Sequence, residues 1–74
     1  MPMIDMAATG TRIAELRDLA GLNNNDIADA LGFTTRNAIY KSINGTSLPT
    51  LDNLVILANL FNVGLDDIVV TYIV

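Results

Sequence analysis

Four polar side chains between positions 36 and 41 can form hydrogen bonds with the bases or phosphates of nucleic acid: Arg36, Asn37, Tyr40 and Lys41. A guanidinium can bond guanine O6 and N7 together, and a carboxamide can pair with adenine N6 and N7. Because Lys41 follows Asn37 by one helical turn, a helix here would present both side chains on one face. The spacing therefore suits a helix that contacts base edges, with Lys41 better suited to a phosphate.

Each of these side chains also has a simpler interpretation, which stays open. Arg36 could be a solvated surface residue or pair with Asp29, and Asn37 could be an ordinary polar surface residue. The Tyr40 ring could contact a thymine methyl group or its hydroxyl a phosphate, but partial packing in the core accounts for it equally well.

The surrounding sequence predicts two short helices joined by a tight turn. Asn23 is a good N-cap and Asp26, three residues later, completes a short capping box. Gly32 is suited to end this helix because glycine tolerates positive φ. Thr35 can cap the second helix, and Asn44-Gly45 closes it, so the motif covers about 23–44. The apolar residues of the two helices that should face inward are Ile27, Ala28, Leu31, Ala38, Ile39 and Ile43.

This order of residues resembles the lambda-repressor-like helix-turn-helix of the XRE group of phage repressors and bacterial regulators. Arg12–Leu22 resembles the first helix of that family, Asn25–Phe33 its second, and Leu51–Val69 its fourth and fifth. One departure is that Ile39 lies seven residues after Gly32, where the family has six. The turn therefore carries an extra residue, and its effect on the register of base contacts stays open.

The resemblance implies a compact, all-α, five-helix DNA-binding domain that spans residues 1–74. It also implies phosphate contacts from the start of the second helix, the turns around the third helix and the first helix. The candidates are Asn24, Thr35, Thr46, Ser47, Arg12 and Arg17. Thr35 is better explained as a cap, Asn24 could serve only capping and solvation, and Arg17 could instead pair with Asp18.

The charge balance is opposite to the usual nucleic-acid footprint, with eight acidic and four basic residues and a net charge of -4. All four cations lie in the first 41 residues, whereas residues 42–74 carry three aspartates and no cation. We therefore expect one weakly basic face and an acidic opposite end.

The chain has no cysteine and no histidine. Disulfides, thiolate or imidazole metal sites and histidine catalysis are therefore excluded. We expect a non-enzyme without metal, cofactor or small-molecule ligand. Because the N-terminus lacks a signal-peptide pattern and no apolar run is long enough to cross a bilayer, we expect a cytoplasmic protein without a membrane partner.

The remaining helices are predicted from apolar spacing and caps. The first should begin near Thr9 or Thr11, end at Ala20 and bury Ile13, Leu16 and Ala20. The fourth, capped by Thr50, should bury Leu51, Leu54, Val55, Ala58 and Phe61. Leu65–Val69 should form a short fifth helix with Asp66 and Asp67 in its first turn.

Both ends of the chain are predicted to be extended. Met1–Ala8 resembles a short arm, and the tail 70–74 is β-branched and aromatic, which favours a strand. The tail could pair with the arm around Ile4 of its own chain, or it could pair across a twofold axis in a homodimer, or both.

The sequence thus predicts a sequence-specific regulator of transcription, a repressor that binds a palindromic operator in double-stranded DNA as a homodimer through the helix around 36–43. The alternative is a helix-turn-helix fold used as a protein-interaction module, such as an antitoxin-like or anti-repressor partner. The net negative charge and the apolar tail favour that alternative.

Overall fold

The computed structural model describes residues 1–32 and 37–74, with side chains of the third helix described from Tyr40 onward. In chain order the elements are strand β1 (Pro2–Ile4), helices α1 (Met6–Leu19), α2 (Asn24–Leu31), α3 (Asn37–Ile43) and α4 (Leu51–Phe61), a single 3-10 turn (Leu65–Asp67), and strand β2 (Thr71–Ile73). The described residues therefore form four helices and a two-stranded sheet. The fold is mostly helical, and the prediction of an all-α, five-helix domain is confirmed only in part. None of these helices is long and apolar enough to cross a membrane.

The predicted fifth helix, Leu65–Val69, is wrong because only its first turn forms. The Asp67 carboxylate accepts a hydrogen bond from the Gly64 amide at 3.0 Å, and the Ile68 and Val69 amides both donate to the Leu65 carbonyl. After Ile68 the chain becomes extended, as the β-branched residues favour, and continues into β2.

The first helix begins earlier than predicted. Asp5 is its N-cap, and the Asp5 carboxylate accepts a hydrogen bond from the Ala8 amide at 2.9 Å. The start near Thr9 or Thr11 is therefore wrong, because an aspartate is as good a cap as a threonine and this one lies upstream. The extended arm is correspondingly shorter than predicted.

The two ends of the chain pair with each other as an antiparallel ribbon. Pro2 lies opposite Ile73, Met3 opposite Tyr72 and Ile4 opposite Thr71. Beyond the strands, buried Thr9 fixes the ribbon to α1, since the Thr9 hydroxyl accepts a hydrogen bond from the Val70 amide at 3.0 Å. Pairing of the tail with the arm of its own chain is thus confirmed.

The core lies where α1, α2 and α4 meet the segment after the 3-10 turn. Its buried members are Ile13, Ile27, Leu54, Leu57, Ala58 and Ile68. Leu16, Leu31, Ile43 and Phe61 pack partly buried against them, as predicted. Ala20, Leu51 and Val55 are exposed, so their predicted burial is wrong, and Leu57 takes the place on α4 that Val55 was expected to hold.

Close approach of α1 and α3 depends on Gly10. A Cβ atom at this position would lie 2.5 Å from the Ser42 carbonyl oxygen. No side chain fits there without displacing backbone, because real Cβ atoms essentially never come so close. Gly10 therefore sets how closely the C-terminal end of α3 can approach α1.

Candidate nucleic-acid interface

The N-terminus of α2 is fixed by the predicted capping box. The Asp26 amide donates to the Asn23 side chain at 2.9 Å, and the Asn23 amide donates to the Asp26 carboxylate at 3.0 Å. The helix ends at Gly32, whose φ of 71° is the left-handed conformation that favours glycine. Both predictions for the boundaries of this helix are confirmed.

Two of the predicted site residues, Thr35 and Arg36, lie outside the described residues. Asn37 is the first residue of α3, but its side chain also lies outside them, as do those of Ala38 and Ile39. The roles assigned to these residues stay predictions.

The described part of α3 exposes Tyr40 and Lys41. The Tyr40 side chain is 43% exposed, and Lys41 follows it on the surface. Both were predicted to face outward, and both do. Ile43, one turn after Tyr40, is partly buried and packs against the core, so Tyr40 lies at the border between the core side and the exposed side of α3.

The loop after α3 turns its donors inward. The Lys41 carbonyl accepts hydrogen bonds from the Thr46 amide at 3.0 Å, the Thr46 hydroxyl at 3.0 Å and the Ser47 amide at 3.2 Å. These bonds satisfy a carbonyl at the end of the helix, as backbone polar groups there require. The Thr46 hydroxyl keeps its acceptor lone pairs, and a phosphate contact from it would require rotation of the side chain.

A polar cleft of about 440 Å³ joins α1, α2 and α3 on one surface. Its lining residues are Arg17, Asp18, Leu22, Asn23, Asn24, Asn25 and Tyr40. The Arg17 guanidinium donates to the Asn24 carboxamide oxygen at 2.7 Å through Nη1 and to the Asp18 carboxylate at 3.0 Å through Nε. Three predicted contact residues, Arg17, Asn24 and Tyr40, therefore meet at one cleft. The sequence predicted the role of each but not their meeting, which depends on how α1 crosses α2.

Arg12 does not join this cleft. Its guanidinium donates to the Asp67 carbonyl at 3.0 Å and lies 3.7 Å from the Glu15 carboxylate. Five residues separate Arg12 from Arg17, which places them about 140° apart around α1. Arg12 therefore fastens α1 to the 3-10 turn, beside the acidic side chains of that turn.

The expected separation into a weakly basic face and an acidic opposite end stays a prediction, and Arg12 lies beside the acidic 3-10 turn. Asp52, Asp66 and Asp67 are exposed on α4 and the 3-10 turn, away from α3 in the chain. Near the cleft, the carboxylates of Asp18 and Asp26 are engaged with Arg17 and the Asn23 amide respectively. Among the described cations, Arg17 lines the cleft and Lys41 is exposed on α3.

A capped helix that ends at a left-handed glycine, followed by a helix that exposes Tyr40 and Lys41, is the pattern of a helix-turn-helix protein. This class places its second helix in the major groove of DNA. The model of the Helix-turn-helix family HTH_3 matches residues 13–68. The chain belongs to this family, the XRE or lambda-repressor-like group of DNA-binding regulators.

A solved structure supports the same assignment. The chain is similar to the restriction-modification controller protein C.AhdI from Aeromonas hydrophila, with a TM-score of 0.77 and 25% sequence identity over 86% of this chain and 96% of that chain. No curated protein sequence matches this chain significantly. Family and structural neighbour together support a DNA-binding regulator of transcription.

Proposed function

We propose that this protein is a sequence-specific transcriptional repressor that inserts α3 into the major groove of an operator. The observation that carries the proposal is the meeting of Arg17, Asn24 and Tyr40 at one cleft beside the exposed face of α3. A phosphate next to the groove would find a guanidinium, a carboxamide and the N-terminus of α2 within that cleft. The protein acts by binding and not by catalysis.

The base-contacting set is Arg36, Asn37, Tyr40 and Lys41. Arg36 is assigned to guanine and Asn37 to adenine, since their side chains match those edges in the major groove. Tyr40 borders both the groove and the cleft, so its ring is assigned to a thymine methyl group. Lys41 contacts a base edge or, one turn along the helix, a phosphate.

The phosphate-contacting set surrounds α3. Asn24 and Arg17 act from the cleft, and Thr35, Thr46 and Ser47 act from the two turns that flank α3. Arg12 is the weakest member of the set, because it lies about 140° around α1 from Arg17, outside the cleft, where the Asp67 carbonyl engages its guanidinium.

Binding as a homodimer follows from the size of the recognition element. One seven-residue helix reads only a few base pairs, and two copies related by a twofold axis read an inverted repeat whose half-sites lie about 34 Å apart. A dimer so placed represses by excluding polymerase from the same DNA. It works in the compartment that holds the DNA.

The binding face can be mapped by following backbone amide resonances while a duplex of mixed sequence is added at low salt. We expect the largest changes at Asn24, Tyr40, Lys41 and Thr46, with α4 nearly unaffected. Changes confined to α4, or none at all, would overturn the proposal.

A second function, contact with another protein, is favoured by one specific observation. The outer side of α4 exposes Leu51, Val55 and Ile56 at 69%, 52% and 38%, next to the carboxylate of Asp52. A partner with an apolar surface rimmed by basic residues fits this face. The same resonance experiment distinguishes the two functions, because DNA and such a partner would perturb different helices.

A further inference from the structure

The terminal ribbon is apolar on both faces and exposed on both. Met3 and Tyr72 share one face and are 45% and 48% exposed, while Ile4 and Ile73 share the other and are 42% and 77% exposed. Two strands alone are marginally stable in water, and three or more with an apolar face are needed for an independent sheet. Additional strands would therefore stabilise the ribbon, and its exposed apolar faces would become part of a larger sheet.

The hydrogen-bond register decides which edge is open. Met1 and Val74 exchange both of their bonds at 2.9 Å, and the Asp5 amide donates to the Val70 carbonyl at 2.8 Å. Because inward and outward residues alternate along an antiparallel strand, Pro2 and Ile4 direct their backbone groups to the outer edge of β1. Proline has no N–H, so this edge offers one donor and is blunted.

The outer edge of β2, unlike that of β1, has all of its backbone donors and acceptors. By the same alternation, Thr71 and Ile73 direct their amides and carbonyls away from β1. Among the described residues, no hydrogen bond between backbone groups outside the ribbon uses either amide, and both residues are exposed. This edge offers two donors and two acceptors on a strand with no proline and no charged side chain.

That edge is self-complementary. When two copies of β2 run antiparallel about a twofold axis at Tyr72, Thr71 of each copy faces Ile73 of the other, and each facing pair exchanges two hydrogen bonds. We propose that two copies of this chain join through β2 in this register and form a continuous four-stranded antiparallel sheet. The inference deepens the proposed function, on which it rests for the need for a dimer, by naming the surface that makes it.

Cysteine scanning tests the register directly, because the natural chain has no cysteine. Tyr72→Cys would place two thiols across the axis, with Cα atoms about 4.5 Å apart, inside the range of a disulfide. Ile73→Cys is the matched control, since its two copies lie diagonally, about 8 Å apart, although the side chain is the more exposed. Leu51→Cys on α4 tests the competing face.

We expect Tyr72→Cys to give a covalent dimer under mild oxidation, and Ile73→Cys and Leu51→Cys to remain largely monomeric on a non-reducing gel. Equal or faster crosslinking of either control variant would overturn the proposed interface. A Leu51→Cys dimer in particular would move the interface to α4.

Ile73→Pro provides an independent check by sedimentation. The substitution removes an outward N–H from each copy and leaves the bonds to β1 intact, so we expect dimerisation to weaken by about tenfold or more. An unchanged dimer, or a wild-type chain that stays monomeric at millimolar concentration, contradicts the proposal. DNA binding is measured separately, so a crosslinked dimer that ignores DNA would refute the proposed function and leave the interface standing.

Discussion

Arg17 donates a 2.7 Å hydrogen bond to the Asn24 carboxamide and thereby ties the last turn of α1 to the first residue of α2. The Arg17 side chain is only 21% exposed, so this bond is shielded from water. It fixes both the direction of the carboxamide and the position of the helix N-terminus. In the proposed complex, a phosphate would meet these groups already oriented.

Arg17→Ala should weaken binding to all duplexes to a similar degree, because a phosphate contact carries no sequence information. The free energy of unfolding should fall by about 1 kcal/mol from loss of the bond to Asn24. Fluorescence anisotropy with several duplexes and urea denaturation measure the two effects. Arg12→Ala removes the same charge at the weakest member of the phosphate-contacting set, away from the cleft, and is the comparison in which a smaller loss of binding is expected. A change in base preference in Arg17→Ala would contradict the phosphate role.

Arg36→Ala should behave differently. Loss of a bidentate contact to guanine should cost about 1–3 kcal/mol of binding free energy and relax the preference at one base position. Competition with duplexes substituted at each position measures this, again with Arg12→Ala as the charge-matched control. Uniform weakening on every duplex would make Arg36 a phosphate contact instead.

Substitutions of two leucines on α4 test which face of this helix packs against the core. Leu57 is fully buried, so Leu57→Ala should lower the free energy of unfolding by about 2–5 kcal/mol. Leu51 is 69% exposed, and Leu51→Ala should change the free energy of unfolding by less than about 0.5 kcal/mol. Urea denaturation monitored by circular dichroism compares them. Equal losses would mean that the helix presents another face to the core.

Binding should depend only modestly on salt. With Arg12 engaged by the Asp67 carbonyl and Arg36 assigned to a base, Arg17 and Lys41 remain for phosphates. A dimer then neutralises about four phosphates, and log K should fall with log salt with a slope of about -4. Titrations at salt concentrations from about 50 to about 300 mM, over which log K falls linearly with log salt, measure the slope. A slope of about -9 or steeper would require cations that the chain lacks.

The local features of this fold could be predicted from the sequence because they depend on neighbouring residues. The capping box of Asn23 and Asp26, the Thr50 cap and the glycine stop at Gly32 all formed as predicted. The face of α4 could not be predicted, because eight of its eleven residues, LDNLVILANLF, are apolar and a stripe can be drawn through Leu51 and Val55 or through Leu54 and Leu57.

Features that join distant parts of the chain were harder to predict. The tail composition indicated a strand, but only the register with Pro2–Ile4 shows which edge of it stays open. The residue types at Arg17 and Asn24 suggested phosphate contacts separately. Their hydrogen bond requires the angle between α1 and α2, which spacing along the chain does not contain.

Selection from a random pool of duplex DNA, at low and moderate salt, tests the central claim most directly. The purified protein is mixed with the pool, and the retained duplexes are sequenced. We expect an enriched inverted repeat whose half-site centres lie about one helical turn apart, on the order of 10 base pairs. Absence of any enriched sequence at either salt concentration would contradict it and would favour the protein-contact function of α4.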